Sequence, residues 1–337
     1  MSTISYTFWY GWAFVRSLSL ARIRNLVHLR ITFILSRVLK KHIFSSFPSS
    51  VSIEPTNTCN LQCPECPTGN KTSAIQKGCM SKETFERILA EVKTHTFFIN
   101  LYFQGEPFLH PDMCLFISRA HQLHMMSSTS TNAHYITEKN AEDIVRSGLT
   151  HIIVSLDGFD QQSYEVYRKK GDFNAVVSGL QVLSTAKQKL KSKYPLIEVQ
   201  CLLFKHTEQH KQELQELGYN NGADKVVFKT AQFYSAENMY MMPVQKNNSR
   251  YIFNQEKQTL ELRKKPKNKC WRMWSSVVFT WNGTVLPCCF DKYNSYAYGT
   301  IEQSSLQSIL TSKQARRFKQ QVHTNRTVFS ICRNCTS

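Results

Sequence analysis

Between residues 51 and 230 the sequence alternates apolar, strand-like runs with helical stretches, and this rhythm constrains the fold more than any other feature. The strand-like runs are 51–56, 97–103, 125–131, 150–155, 196–203 and 224–229. Between them lie helical patterns at 81–95, 112–124, 137–148, 174–193 and 207–218, the first opening on Ser81 as an N-cap. Strands alternating with helices pair in parallel, because each helix returns the chain to the same end of the sheet. Right-handed crossovers curl six such units into a TIM-like barrel, closed or partial (β/α)6, of the α/β class. In such barrels the functional loops leave the C-terminal ends of the strands.

The same pattern predicts three regions: a basic amphipathic segment over 1–48, the barrel over 49–235, and a linker with a cysteine-rich extension over 236–337. In the first, Ile23, Val27, Ile31, Ile34, Leu35 and Val38 recur at helical spacing among Arg22, Arg24, Arg30, Arg37, Lys40 and Lys41. This predicts one basic amphipathic helix, preceded by the aromatic stretch FWYGWAF, that docks on the barrel or lies on a membrane interface. Residues 1–53 hold seven Lys and Arg and no acid, within a chain of formal charge +18, and a second basic stretch runs over 263–269. That balance suits a solvated surface, an anionic membrane, or an acidic or phosphorylated partner, and no nucleic-acid reader motif accompanies it. No apolar run approaches the roughly 20 residues that span a bilayer. The N-terminus also lacks the positive front of a secretory signal, so the expectation is a soluble, cytoplasmic protein with at most peripheral membrane contact. After residue 235 short apolar runs and turns follow, with one helix expected around 306–321, and a metal or cluster would help so small a region hold its shape.

Eleven cysteines are too many for idle thiols, and their odd number and uneven placement argue against a disulfide framework. Cys79, Cys114 and Cys201 stand alone and read as packed thiols. The others cluster at 59/63/66, 270, 288/289 and 332/335. Cys59, Cys63 and Cys66, spaced C-x3-C-x2-C directly after the first strand, suit three irons of a [4Fe–4S] cube and leave the fourth open. An open position separates a reactive metal centre from a structural one. A zinc site would need a fourth ligand, for which His95 and Cys79 are poorly placed.

The stretch CNLQCPEC resembles the signature of radical S-adenosylmethionine (SAM) enzymes. The resemblance implies that the open iron binds the amino and carboxylate groups of SAM. Electron transfer then yields methionine and a 5′-deoxyadenosyl radical that abstracts a substrate hydrogen. Further likenesses follow at consecutive strand ends. Gly105, Glu106 and Pro107, in QGEP, are similar to the family's G-G-E-P turn, which meets the SAM amino group. Ser130 and Asn132, in STNA, resemble the family's ribose-side S-T-N-G, with Ala133 in place of the glycine. Ser155 and Asp157, in SLDG, end the fourth strand, and Arg168 is a fixed cation for the SAM carboxylate. Taken singly, each also reads as an ordinary turn or a solvated arginine. Glu65 departs from the family, which often carries an aromatic residue there, and leaves the adenine contact unassigned.

Cys270, twelve residues, Gly283, four residues and Cys288 resemble the opening of the SPASM extension, and Cys332 and Cys335 continue it. The further cysteines of a two-cluster SPASM domain do not follow, so Cys270, Cys288, Cys332 and Cys335 are expected to hold a single auxiliary [4Fe–4S] cluster. Cys289 competes with Cys288, and a four-cysteine zinc site is the alternative. The resemblance implies a radical SAM enzyme that oxidises or modifies a peptide or small molecule, with a flavodoxin or ferredoxin as electron donor. Asp291 is one candidate proton acceptor. The alternatives are a non-catalytic zinc or iron–sulfur scaffold, and a membrane-associated enzyme acting on a lipid-linked substrate.

Overall fold

The computed structural model describes residues 3–41, 43, 47–70, 75–234, 236–254, 256, 259–264 and 266–335; Lys265 of the basic 263–269 stretch lies outside them. Six strands, β1 (Ser50–Ile53), β2 (Phe98–Asn100), β3 (Met126–Thr131), β4 (His151–Ser155), β5 (Leu196–Leu203) and β6 (Lys225–Thr230), pair in parallel and in sequence order. They form the expected open, partial barrel. Every residue of β4 is buried, as a parallel strand covered on both faces requires.

The helices between them are α3 (Lys82–Val92), α4 (Met113–Gln122), α5 (Glu138–Arg146), α6 (Gln161–Tyr167), α7 (Phe173–Lys189) and α8 (Lys211–Asn220). Helix α3 starts where its sequence says, with Ser81 Oγ accepting the Thr84 N–H at 3.1 Å. It buries Phe85, Ile88, Leu89 and Val92 on one face. Phe85 stacks on Phe116 of α4 at 4.0 Å. Each such side chain contributes about 1.5–3 kcal/mol by leaving water. Helix α6 was not foreseen. It is only two turns long, too short for periodicity to show, and a reciprocal cap between Asp160 and Ser163 starts it.

The C-terminal region is built into the same sheet. Strand β9 (Ser276–Phe279) pairs in parallel with β1, and β10 (Thr284–Leu286) and β11 (Gly299–Thr300) extend the edge in antiparallel fashion, giving nine strands. A separate hairpin joins β7 (Tyr251–Asn254) to β8 (Thr259–Leu262). Short α9 (Trp271–Ser275) leads into β9. The helix expected around 306–321 is two helices, α10 (Leu306–Leu310) and α11 (Lys313–Asn325). They divide at Ser312, whose hydroxyl caps α11 by accepting the Ala315 N–H at 3.2 Å. A last turn, α12 (Ser330–Arg333), carries Cys332.

The N-terminal segment also differs from expectation. It forms two helices, α1 (Thr3–Arg16) and α2 (Leu20–Leu39), with Ser19 capping the second. Both sit at the N-terminal end of the barrel. The Tyr6 hydroxyl meets His151 at 3.1 Å and donates to Glu198 at 3.3 Å. Buried Arg22 donates to the carbonyls of Lys93, Leu123 and His124, each at 2.8 Å. Asn25, Leu29, Thr32, Phe33 and Ser36 complete the buried face of α2. The docking face is therefore largely polar, and the apolar stripe picked out from the sequence faces away from the barrel. No helix among the described residues is long and apolar enough to cross a membrane.

Candidate active site

The cysteine loop leaves the C-terminal end of β1. Cys63 is buried, and Cys59 and Cys66 are half-buried. The Leu61 N–H donates to Cys59 Sγ at 3.4 Å, and Asn132 Nδ2 lies 3.9 Å from the same sulfur. Arg168 Nη1 lies 3.9 Å from Cys63 Sγ. Burial pushes the Cys59 thiol up to about 12 and Cys63 up to about 11, with Arg168 opposing the rise at Cys63. Soft thiols kept protonated by burial, yet supplied with N–H and cationic partners for the ionised form, fit a cluster whose iron displaces their protons.

The motifs at the ends of β2, β3 and β4 converge on this loop. Gly105 has φ +73°, and a Cβ there would lie 2.4 Å from the Thr56 carbonyl, so only glycine lets the turn press on the cysteine loop. Glu106 N–H donates to Thr58 O at 2.7 Å. The buried Glu106 carboxylate accepts from Thr131 Oγ1 at 2.6 Å, the Asn132 N–H at 2.7 Å and the Phe108 N–H at 3.2 Å. It thereby ties the Gly105–Pro107 turn to the end of β3. Burial raises its pKa, and these donors offset the rise. Asn132 in turn donates to Asn60 Oδ1 at 2.8 Å. Ala133 adopts φ +62°, the left-handed region that the family's glycine takes freely. An alanine there costs about 1 kcal/mol.

Ser130 lies near the end of β3, and Ser155 is the last residue of β4. Asp157, wholly buried, accepts from Arg168 Nε at 2.6 Å and from the Leu202 N–H at 2.6 Å. Burial alone would lower the Arg168 pKa, but Asp157 and Cys63 hold it well above its ordinary value. Arg168 is thus a fixed, permanently charged cation beside the cysteine loop. Its position is set by α6, which it terminates.

Two carboxylates stand near the loop, Glu65, whose partners the sequence leaves open, and Glu54, which carries no sequence signal. Glu65, between Cys63 and Cys66, accepts from the Tyr234 N–H and Asn238 Nδ2, each at 2.7 Å. Glu54, one residue past β1, is buried and accepts the Trp281 N–H at 3.2 Å. Burial pushes its carboxyl up to about 7, with Trp281 and Lys292 offsetting only part of the shift. Asp291, offered as a proton acceptor, instead braces a turn by accepting the Ser295 and Tyr296 N–H groups, each at 2.8 Å.

The C-terminal thiols form a second centre. Cys270 caps α9, accepting the Met273 N–H at 3.4 Å. Half-buried Cys288 is raised well above its ordinary value, first by loss of water around its thiol and then by neighbouring thiols that include Cys289, Cys270 and Cys332. Cys332 is pushed up to about 11 by burial, with Arg326 opposing, and Cys270 and Cys335 lie in its field. Cys289 has a partner of its own: Arg272 Nη1 donates to its sulfur at 3.1 Å. Among the described residues no three His, Cys, Asp or Glu side chains converge tightly enough to hold a single metal ion.

Residues 53–200 match the radical SAM superfamily, and residues 270–336 match SPASM, an iron–sulfur cluster-binding domain. The AdoMet-dependent heme synthase of Methanosarcina barkeri is 26% identical over 140 residues, which are 41% of this chain and 40% of that protein. The match thus spans less than half the length of this curated relative. Among solved structures, BtrN in complex with AdoMet and 2-DOIA has a TM-score of 0.55 at 17% identity, covering 87% of this chain and 95% of that one. Streptococcus suis SuiB bound to precursor peptide SuiA has a TM-score of 0.60 at 17% identity, covering 83% of this chain and 68% of that one. Those two likenesses are of fold. The two domain matches carry the assignment and bring the family's [4Fe–4S] cluster, SAM and an auxiliary iron–sulfur cluster with them. The chain belongs to the radical SAM superfamily, in the branch that carries a SPASM domain.

Proposed function

We propose that this chain reductively cleaves SAM at a [4Fe–4S] cluster held by Cys59, Cys63 and Cys66, and turns the resulting radical on a peptide or small-molecule substrate. One observation carries the reading: three thiols share a single loop at the C-terminal mouth of the barrel, with Arg168 beside Cys63. When bound, the cluster supplies one electron to SAM, releasing methionine and the 5′-deoxyadenosyl radical that takes a hydrogen atom from the substrate.

The protein's own residues bind and orient. Arg168 presents a fixed cation to the SAM carboxylate. Asp157, with both oxygens committed, is a positioning residue that acts through Arg168. Glu106 is likewise committed to backbone and Thr131, so it shapes the turn in which Gly105 and Pro107 border the SAM amino group. Ser130, Asn132 and Ser155 line the remaining strand ends. Cys270, Cys288, Cys332 and Cys335 would close a fully ligated auxiliary cluster that takes up the electron left after hydrogen abstraction, which suits a net oxidation. A flavodoxin or ferredoxin would feed the first cluster. Solved relatives of this fold are described with a precursor peptide and with 2-DOIA, which keeps both substrate classes in view.

The test is anaerobic reconstitution with iron and sulfide, then SAM and dithionite, with 5′-deoxyadenosine measured by mass spectrometry. The reading expects 5′-deoxyadenosine from the wild type and none from Cys63→Ala. Its absence from wild-type protein with iron on the three cysteines would sink the catalytic reading and leave a non-catalytic scaffold.

A second reading concerns location. Of twenty exposed large hydrophobic residues among the described ones, twelve lie between Ile4 and Leu39, on α1 and α2. Phe8, Trp12, Val27, Ile31 and Val38 belong to this outward face; Arg24, Arg30 and Arg37 are exposed on α2, and Lys40 and Lys41 are exposed just past its end. We infer peripheral contact with an anionic membrane, since apolar side chains enter the interface while each cation contributes about 1 kcal/mol near anionic lipid. Phe8→Glu with Ile31→Glu is expected to abolish co-sedimentation with phosphatidylglycerol liposomes. Unchanged sedimentation, or equal binding to neutral phosphatidylcholine, would exclude the contact.

A further inference from the structure

The inner faces of β1, β2, β5 and β9, with the loops above them, enclose a cavity of about 890 Å³. That lies within the ~300–1,000 Å³ typical of small-molecule sites. The strands supply uncharged hydrogen-bonding groups: Ser50 and Ser52 from β1, Asn100 from β2 and Gln200 from β5. Alternation along each strand explains the set, because these residues occupy the inward positions of the pleat.

Three cations line the same cavity, Arg250, Arg272 and Lys292, and no carboxylate does. Their hydrogen-bond partners are uncharged, although Lys292 lies in the field of Glu54 and Arg272 in that of Cys288, Cys289 and Cys335. Arg250 donates to Thr230 Oγ1 at 3.2 Å and to its carbonyl at 2.8 Å. Arg272 donates to Cys289 Sγ at 3.1 Å. Lys292 Nζ lies 3.5 Å from the Phe103 carbonyl and 4.6 Å from its ring. Among the described residues none of the three forms an ion pair with Asp or Glu. Guanidinium and ammonium groups so held keep N–H donors to spare. Like charges around a shared low-dielectric space repel one another until a counter-charge arrives.

We infer that this cavity takes a substrate bearing a phosphoryl or diphosphoryl group, gripped by Arg250, Arg272 and Lys292, with its hydroxylated remainder against Asn100, Gln200 and Gln232. A single carboxylate brings one negative charge to three cations; a phosphate ester or diphosphate brings two or more, with pairs of oxygens that the arginine forks can engage bidentately. The inference rests on the radical SAM reading for what is done to the substrate, but not for its binding. A soluble phosphate ester and a lipid-linked diphosphate share this chemistry.

The test is calorimetric titration of the reconstituted, anaerobic holoenzyme with inorganic pyrophosphate and, separately, with farnesyl diphosphate in detergent. Pyrophosphate is expected to bind saturably. Arg250→Gln and Lys292→Gln are each expected to weaken binding about tenfold or more, while Lys292→Arg retains it. Cluster absorbance and melting temperature report that the variants are folded. Farnesyl diphosphate binding more tightly than pyrophosphate indicates a lipid source, and equal binding a soluble one. Absence of pyrophosphate binding to wild-type holoenzyme, or equal binding by both neutral variants, overturns the inference. 5′-Deoxyadenosine formed by the wild-type holoenzyme, assayed in parallel, reports on the radical SAM reading alone.

Discussion

Glu65 reaches from the middle of the cysteine loop to the Tyr234 backbone, accepting its N–H at 2.7 Å. A second bond, from Asn238 Nδ2 at 2.7 Å, makes this a two-point brace between the loop and the segment that follows β6. The carboxylate stands where relatives often carry an aromatic residue, and the brace is its physical reason. It fastens the cysteine loop to the chain leading toward the C-terminal domain.

Removing the brace should loosen the cluster site without deleting a ligand. Glu65→Ala is expected to lower stability by about 2 kcal/mol, the scale of hydrogen bonds to a charged group. Iron should also be lost faster to a chelator. Glu65→Gln, which keeps one acceptor, should fall between. Chelator-release kinetics followed at the cluster absorbance check this, and wild-type kinetics in Glu65→Ala would refute it.

The two adjacent cysteines should behave differently. Half-buried Cys288 lies in the field of Cys270 and Cys332, whereas the Cys289 sulfur meets Arg272 beside the barrel cavity. Cys288→Ser is expected to drop bound iron from about eight to about four atoms per chain, at four per cube. Cys289→Ser should keep about eight. Iron and sulfide analysis after anaerobic reconstitution decides the matter.

The Asp157–Arg168 pair should be costly to break from either side. Both groups are deeply placed, and removing one partner strands the other charge at about 3–5 kcal/mol. Arg168→Gln is expected to weaken SAM binding at least tenfold. Asp157→Asn should weaken it less while lowering the melting temperature. Equilibrium dialysis with labelled SAM, together with thermal melts, separates the two effects.

Glu54 should make stability fall as pH rises. Burial lifts its carboxyl from the ordinary 4.5 to about 7, so between those values the unfolded chain sheds a proton that the folded chain keeps. Stability then declines with pH across that window, having been fully present below 4.5. Glu54→Gln has no such proton. Its melting temperature relative to wild type is therefore expected to climb between pH 4.5 and 7, and a flat difference would contradict the assignment.

The barrel was legible because its signal is local. Strands buried on both faces read as apolar runs, and helices that cover them show a 3.6-residue period. Strand β5 falls on residues 196–203 as the pattern indicates. Helix α6 and the pairing of β9 with β1 were not legible. The first is too short to show a period, and the second joins residues more than 200 positions apart. At the site, the residue types and their order at strand ends could be read directly. The commitments of Glu106, Asp157 and Glu65 could not, because a carboxylate's partner is set by what the fold brings near.

By itself the sequence determined the α/β architecture, the three-cysteine loop after the first strand and the family those features indicate. Spacing along the chain encodes each of them. Only the tertiary structure decided that Cys289 meets Arg272 while Cys288 lies in the field of Cys270 and Cys332. It alone turned the N-terminal helices so that Arg22 and Asn25 face the barrel and Ile23, Val27 and Ile31 face outward. A helical period marks an apolar stripe but not the side that meets the protein. Here the carbonyls of Lys93, Leu123 and His124, left open at the barrel's N-terminal end, recruit a buried arginine and so set the helix's orientation.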